Sequence, residues 1–488
     1  MTGHGKQMDR RAARVLLAKP YSRTSYGYPT TPPLGIGLLG TILRDAGHDV
    51  RLLDLRTRGK NNRTFTRLVR EFRPDVVCLT VSSFECTSAA ELCREAKRVA
   101  PGAITIVGGP HPTMSPERTL EERSIDFIGA GEADVTLLEF VNAFPDREAM
   151  GAVAGIGRID TAGAARVNEP PAPVDDLDRL PFVDLGLFAM DAYRVQGRLT
   201  LPLFTSRGCP YQCIYCVSHL TQGRKYRTRS PKSLVDEMEQ NSVRFKTRRF
   251  TILDDTFNLD QQRVTDFCNE LMARNLDLQW DCVQGIRADR ATSEMFRLMR
   301  RAGCRQVAIG IESADDEVLQ AMHKGESLDE IRRAIAWANE AGLITKGFFI
   351  VGGPGDTAEK VLKSIRFFKD NNIAIPRFSM IMAFPSTPLE AWTRAHARPL
   401  HEAYDYVTRH SELAAAGVQF DTADFPARER KRMFKAAERE AEIWLIRNRL
   451  RDKFGRPLGS ALALPFHFRF SRELLKLAFR LNLLDIYT

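Results

Sequence analysis

Short apolar runs of strand length alternate with longer segments that repeat their apolar residues every three to four positions. "RVLLAKP" (residues 14–20) is the first such run, and "LGIGLLGTILRDAG" after it has helical spacing that stops at Gly47. "DVRLLDL", "RTFTRLVREF", "PDVVCLTVSS", "TSAAELCREAKRVA" and "AITIVGG" continue the alternation. Ser115 and Pro116 open a further helix as N-cap and first helical residue, and "IDFIGAG" and "DVTLLEFVNAF" close the series. Strands separated by helices in this way predict an α/β domain with a doubly wound parallel sheet over residues 12–145. Such sheets bind ligands at the carboxyl ends of their strands.

The rhythm breaks over residues 146–198, where "NEPPAPVDDLDRLPFVDL" is rich in Pro and Asp and reads as a linker. It resumes with "LPLFTS", "RFTILDD", "LQWDCVQGI", "RQVAIGIE", "TKGFFIVGG" and "RFSMIMAF". Helical stretches such as "SPKSLVDEMEQNSVRF" and "LDEIRRAIAWANEAG" lie between them. Six β/α units predict a partial (β/α)6 barrel over residues 199–395, with its working face at the strand carboxyl ends. Residues 396–488 form a helical, basic C-terminal region. Its last amphipathic stretch, "FRFSRELLKLAFRLNLL", either packs on the barrel or lies against anionic lipid as a peripheral membrane contact.

Apolar residues make up 43 % of the 488 residues, enough for a sizeable core. The sequence shows neither a run long enough to span a bilayer nor the apolar stretch of a signal peptide, so a cytoplasmic chain with reduced cysteines is expected. The net charge of +10 suits nucleic acid, an anionic substrate, a membrane surface or simply a solvated Arg-rich exterior. With no recognisable helix-turn-helix or finger, nucleic acid is not an expected partner.

"SRGCPYQCIYC" changes the picture. Cys209, Cys213 and Cys216 follow the first strand of the second series at C-x3-C-x2-C spacing. With His219 they would make a four-ligand zinc site. Alternatively they hold three irons of a 4Fe–4S cube, leaving one iron open for chemistry. The other six cysteines lie in strand or helix patterns and read as small buried residues.

This motif, with aromatic Tyr215 before its last cysteine, resembles the signature of the radical S-adenosylmethionine (radical SAM) enzymes. Over residues 12–390 the chain is similar to the cobalamin-binding branch, with a flavodoxin-like N-terminal domain. The resemblance implies a 4Fe–4S cluster, S-adenosyl-L-methionine and cobalamin as cofactors. It implies that the cluster chelates SAM and cleaves it to a radical that removes hydrogen from a substrate. Tyr215 is implied near adenine, Asp254 and Asp255 at the SAM amino group, and Arg287 at its carboxylate. Glu312 and Ser313 are implied near the ribose, and Gly352 and Gly353 at a close approach to adenine. In the first domain Ser82, Ser83 and Thr87 are implied to line the pocket of the cobalamin tail. Gly108 and Gly109 would let the tail approach, His111 would be a tail-loop contact, and Gly131 and Glu132 would stand on the neighbouring strand end. Residues 18–37 contain no His, so the D-x-H-x-x-G cobalt ligand of methionine-synthase-type carriers is absent. The implied function is a methyltransferase acting on an unactivated carbon of a natural-product or lipid-like small molecule. A cyclase or rearrangement enzyme without methyl transfer is the alternative. An electron donor such as flavodoxin or ferredoxin is an implied partner.

Overall fold

The computed structural model describes residues 12–21, 29–409 and 418–468. They divide into two compact units, the described residues up to 175 with 179–192, and residues 176–178 with the described residues from 193 onward.

The first unit carries a seven-stranded sheet. Its strands are β1 (Arg14–Lys19), β2 (Asp49–Asp54), β3 (Val76–Thr80), β4 (Ile104–Gly108), β5 (Phe127–Gly129), β6 (Ile156–Ile159) and β7 (Ala165–Val167). The order is β2-β1-β3-β4-β5-β6-β7, parallel from β2 to β5. Strand order reverses between β1 and β3, the switch point at which such sheets bind ligands. Both faces are covered. Leu16, Ala18, Val77 and Leu79 pack with Phe65, Val69, Leu92 and Ala96 on one side. Val15, Leu17, Val76 and Cys78 pack with Leu43, Phe140 and Val141 on the other. Strands buried on both faces are the physical reason that they read as continuous apolar runs.

Two sequence expectations need correction here. Residues 146–198 are not simply a linker, because β6 and β7 add an antiparallel hairpin to the edge of the sheet. "IGRI" and "ARV" are too short and too polar to show alternation. Ser115 precedes the helix Pro116–Leu120, but its side chain makes no capping hydrogen bond.

The second unit contains a six-stranded, all-parallel sheet in the order β15-β14-β13-β12-β11-β8. Its members are β8 (Thr200–Leu203), β11 (Arg249–Ile252), β12 (Gln279–Ile286), β13 (Cys304–Glu312), β14 (Ile344–Val351) and β15 (Ile375–Met380). A small antiparallel pair, β9 (Ser206–Arg207) and β10 (Arg227–Thr228), brackets the cysteine loop. The sheet keeps β8 and β15 as unpaired edges, as a partial barrel does. Its helix-facing side is aromatic. Trp280 meets Phe257 and Phe267 edge-on at 5.6 and 5.4 Å. Phe349 stacks on Phe378 at 4.7 Å. The 28-residue helix Ala427–Phe454 docks by Trp444, whose ring lies 5.9 Å from Phe368 and whose Nε1–H donates to the Ile373 carbonyl at 2.8 Å. Of "FRFSRELLKLAFRLNLL", all but Phe468 lies outside the described residues. Among the described residues no helix is long and apolar enough to cross a membrane.

Asp281 stands on β12 in a largely desolvated position, which raises its carboxyl to about 6 against the attraction of Arg249 and Arg305. The folded state therefore holds this proton more tightly than the unfolded chain, and stability falls as pH rises through the window from 3.8 to about 6. Asp281→Asn is expected to raise stability at pH 8 by on the order of 1–3 kcal/mol and to change little near pH 4. Urea unfolding at the two pH values checks this.

Candidate active site

The cysteine loop leaves β9 and is tied down at several points. The Cys209 N–H donates to the Gly223 carbonyl at 3.2 Å, and the Ile214 N–H to the Met322 carbonyl at 3.1 Å. Cys209, Cys213 and Cys216 are free thiols, each half-buried. Hydroxyls stand beside two of the sulfurs. Thr256 Oγ1 is 3.6 Å from Cys209 Sγ, and the Cys216 thiol donates to Ser218 Oγ at 3.3 Å while its sulfur accepts the Ser218 N–H at 3.5 Å. Burial pushes the Cys213 and Cys216 thiols up, while the charges of Lys324 and Arg287 pull Cys213 back down. Thiols in such surroundings ionise when a metal shares their charge. Three free thiols on one loop, with polar neighbours and two cations at hand, fit three corners of a 4Fe–4S cube. Among the described residues no three His, Cys, Asp or Glu side chains are grouped so as to hold a single metal ion.

Around the loop the structure gathers Tyr215, Asp255 and Glu312, together with two residues that sequence reasoning missed, Lys324 and Glu326. Glu312 ends β13 in the left-handed region at φ 65°, an uncommon conformation for a side-chain-bearing residue. Its carboxylate accepts the Tyr215 hydroxyl and pairs with Lys324 Nζ at 3.2 Å. Lys324 also pairs with Glu326 at 3.2 Å, and Glu326 accepts the Ala288 N–H at 2.5 Å. Two carboxylates raise the buried Lys324 ammonium above its ordinary value despite desolvation. Asp255 is exposed at the end of β11 and accepts a hydrogen bond from Ser218. Ser313 is buried, its N–H turned to the Ile311 carbonyl at 2.8 Å.

Four residues stand in roles other than those expected. Asp254 is buried and accepts the Thr205 N–H and the Ser206 hydroxyl, both at 2.6 Å, and the Thr205 hydroxyl. It joins the end of β11 to that of β8, so of the Asp pair the geometry leaves Asp255 for a ligand. Arg287 donates to the carbonyls of Lys324 at 2.8 Å and Gly325 at 2.9 Å and to Asp289 at 2.9 Å, and its guanidinium lies 3.6 Å from the Tyr211 ring centre. It positions the Lys324–Glu326 turn, and its fork is not presented to a SAM carboxylate. Beside Gly352 and Gly353 the space is taken. A Cβ on Gly352 would lie 2.3 Å from the Arg430 side chain, and one on Gly353 would lie 1.9 Å from Met322 Cε. These glycines admit two side chains of the same chain.

In the first unit the expected residues collect at the carboxyl ends of β3, β4 and β5. Ser82 caps its short turn with Glu85, which also pairs with Lys19 at the end of β1 at 2.6 Å. Gly109 has φ 101°, and a Cβ there would stand 3.0 Å from Thr80 Oγ1 and 3.1 Å from the Val81 nitrogen. Gly108 faces no such crowding, its nearest neighbour being the Gly129 carbonyl at 3.8 Å. Thr87 is exposed, while Gly131 and Glu132 are half-buried beside them. This glycine-lined cradle at the ends of β4 and β5 fits a nucleotide-like tail. His111 departs from its expected role. It is buried, its Nδ1 is 3.0 Å from Ser83 Oγ, and desolvation lowers it to about 4, so it is a neutral interior side chain with Ser83 as its neighbour.

Comparison with known proteins agrees with both units. Residues 203–368 match the Radical SAM superfamily, and residues 25–141 match the B12 binding domain. An uncharacterized methyltransferase of Pyrococcus horikoshii is 30% identical over 373 residues, 76% of this chain and 80% of the relative. The anaerobic magnesium-protoporphyrin IX monomethyl ester cyclase of Rubrivivax gelatinosus is 28% identical over 366 residues, 73% of this chain and 65% of the relative. The radical S-adenosylmethionine methyltransferase TsrM from Kitasatospora setae, solved with cobalamin and a 4Fe–4S cluster bound, shares the fold. Its TM-score is 0.65 at 22% identity, over 78% of this chain and 77% of that one. The chain belongs to the cobalamin-binding radical SAM enzymes, with S-adenosyl-L-methionine, a 4Fe–4S cluster and cobalamin as its cofactors.

Proposed function

We propose that this chain transfers a methyl group to an unactivated carbon of a natural-product or lipid-like small molecule. One observation carries the reading: a three-thiol loop at the strand ends of one unit and a B12-binding unit occur in the same chain. The Pyrococcus relative, a methyltransferase by name, points the same way. When bound, these cofactors supply reductive cleavage of SAM, a hydrogen-abstracting radical and a methyl carrier. The chain's own residues bind and orient. Cys209, Cys213 and Cys216 are the iron ligands, and the Ser218 N–H favours the thiolate form of Cys216. Asp255 and Glu312 are the carboxylates available to SAM, Glu312 being held in place by Tyr215 and Lys324. Ser82, Thr87, Gly108, Gly109, Gly131 and Glu132 frame the cobalamin tail. A low-potential electron donor such as flavodoxin or ferredoxin completes the reaction.

The test is product analysis. The chain is reconstituted anaerobically with iron, sulfide and hydroxocobalamin, then given SAM and a strong reductant. Methyl transfer predicts 5'-deoxyadenosine together with S-adenosylhomocysteine. The cyclase relative supports a second reading, ring closure without methylation, which predicts deoxyadenosine alone. Formation of neither product from a cluster-loaded chain given candidate substrates would sink both.

A further inference from the structure

Two glycines follow β14, and each makes room for a side chain that leads back to the cysteine loop. Met322 fills the space beside Gly353, and its carbonyl accepts the Ile214 N–H at 3.1 Å. Ile214 is buried and lies between Cys213 and Cys216 in the chain. Its own carbonyl accepts the Leu389 N–H at 3.0 Å, so the loop is gripped by backbone on both sides.

The space beside Gly352 holds Arg430, from the first turn of the helix Ala427–Phe454. Gly352 has φ 93°, so a side chain there would be strained as well as crowded. Arg430 is only 1% exposed, which is rare for an arginine outside an ion pair. The carboxylates that act on it from a distance, Asp356 and Asp421, are bonded elsewhere, to the Gly352 N–H and to Arg398, each at 2.7 Å. The Arg430 fork donates instead to the carbonyls of Phe420 and Phe425, both at 3.1 Å, and to the Thr422 hydroxyl at 2.9 Å. Its guanidinium lies 4.8 Å from the Phe420 ring centre and 5.5 Å from that of Phe425. A buried charge is costly unless it is hydrogen-bonded. All of these acceptors lie in residues 420–425, so satisfying Arg430 fixes the path of that one segment.

The segment reaches the cysteine loop. Gln419 exchanges two hydrogen bonds with the Ala383 backbone, at 2.7 and 2.9 Å. Phe420 belongs to one apolar cluster with Ile214, Met322, Ile381 and Leu389. Its ring meets that of Trp392 edge-on at 6.3 Å, and Trp392 shares the helix Pro388–His396 with Leu389. Arg430 thus fixes Phe420, Phe420 backs the helix that carries Leu389, and Leu389 holds Ile214. Close-packed interiors transmit such displacements because they have little free volume.

We propose that Arg430 is a positioning residue for the cluster ligands: through Phe420 and the helix Pro388–His396 it holds Ile214, and with it the spacing of Cys213 and Cys216. This rests on the enzyme reading above and gives the C-terminal region a part in the site.

The experiment is hydrogen exchange on the full chain without iron, read at the Ile214 amide by fragment mass spectrometry. The Trp280 amide of β12, which donates to the Gly303 carbonyl at 3.1 Å, is the internal control. Arg430→Met is expected to speed exchange at Ile214 by about tenfold or more and at Trp280 by less than about twofold. Arg432→Met, on the exposed side of the same helix, is expected to change neither. Loaded with cluster, Arg430→Met is expected to keep its iron yet to need at least about fivefold more SAM to alter the electron paramagnetic resonance spectrum of the reduced cluster. Unchanged exchange at Ile214 overturns the proposal, and so does an equal rise at Trp280, which marks a general loss of stability. A wild-type SAM response in the loaded variant overturns it too. Where Arg430→Met does not fold, Phe420→Leu decides by the same readings. A wild-type chain that loads no cluster would remove the enzyme reading, while exchange at Ile214 would still decide whether Arg430 holds the loop.

Discussion

Cys213→Ala is expected to abolish formation of deoxyadenosine while leaving the fold intact. The thiol is half-buried on a loop whose backbone is fixed by other groups, the Ile214 N–H among them. Removing one sulfur there should cost no more than about 1 kcal/mol of stability. The chemistry has no such reserve. Without one of three ligands the cluster is not held with a defined open iron, and the loss is of the order of the whole rate enhancement, at least about 10⁶-fold. Product mass spectrometry would read this as background, with iron content reduced and the thermal transition nearly unmoved. Cys268→Ala is the control. Cys268 is fully buried, and desolvation pushes its thiol up to about 12. Its removal should lower stability by about as much or more, yet leave deoxyadenosine formation in place. If Cys213→Ala keeps its activity, or if Cys268→Ala loses it while folded, the assignment of the cluster ligands is wrong.

How far the site is legible in the sequence follows from what each residue needs. The cysteines are legible because their chemistry depends on spacing within one loop, and spacing is written in the chain. The strands are legible because two-sided burial makes them apolar throughout, whereas the half-polar β6 and β7 leave no such trace. Asp254 and Asp255 are chemically identical in the sequence. Only the hydrogen bonds from Thr205 and Ser206, about fifty residues away, turn Asp254 inward. Gly352 and Gly353 resemble a ligand cradle until Arg430 and Met322 arrive from distant segments to fill it. Lys324 and Glu326 lie in "HKGES", which reads as an exposed polar turn. Their burial comes from Arg287, whose fork draws the carbonyls of Lys324 and Gly325 inward from a neighbouring strand end.

That burial makes Lys324 the residue whose replacement is expected to damage the barrel most. Lys324→Met leaves Glu312 desolvated without its cation, and leaves Glu326 with Arg287 alone, 3.5 Å away. Removing one partner of a buried ionic group typically costs about 3–5 kcal/mol, because the remaining charge cannot reach water. Urea unfolding should show a loss of that size in the second unit. The folded ammonium is raised above its unfolded value, so its contribution is complete below about pH 10 and is lost only at higher pH. The deficit of the variant should therefore be the same at pH 7 and pH 8.5. Lys324→Met/Glu326→Gln, which lowers the negative charge left in the network, should recover part of it. Activity discriminates between a structural and a positioning role. Lys324 and the Tyr215 hydroxyl together hold Glu312 in its left-handed conformation at the end of β13. The double variant, once folded and loaded with iron, should therefore still bind SAM more weakly than the wild type. Full SAM affinity in that variant would reduce Lys324 to a packing role and leave Glu312 positioned by Tyr215 alone.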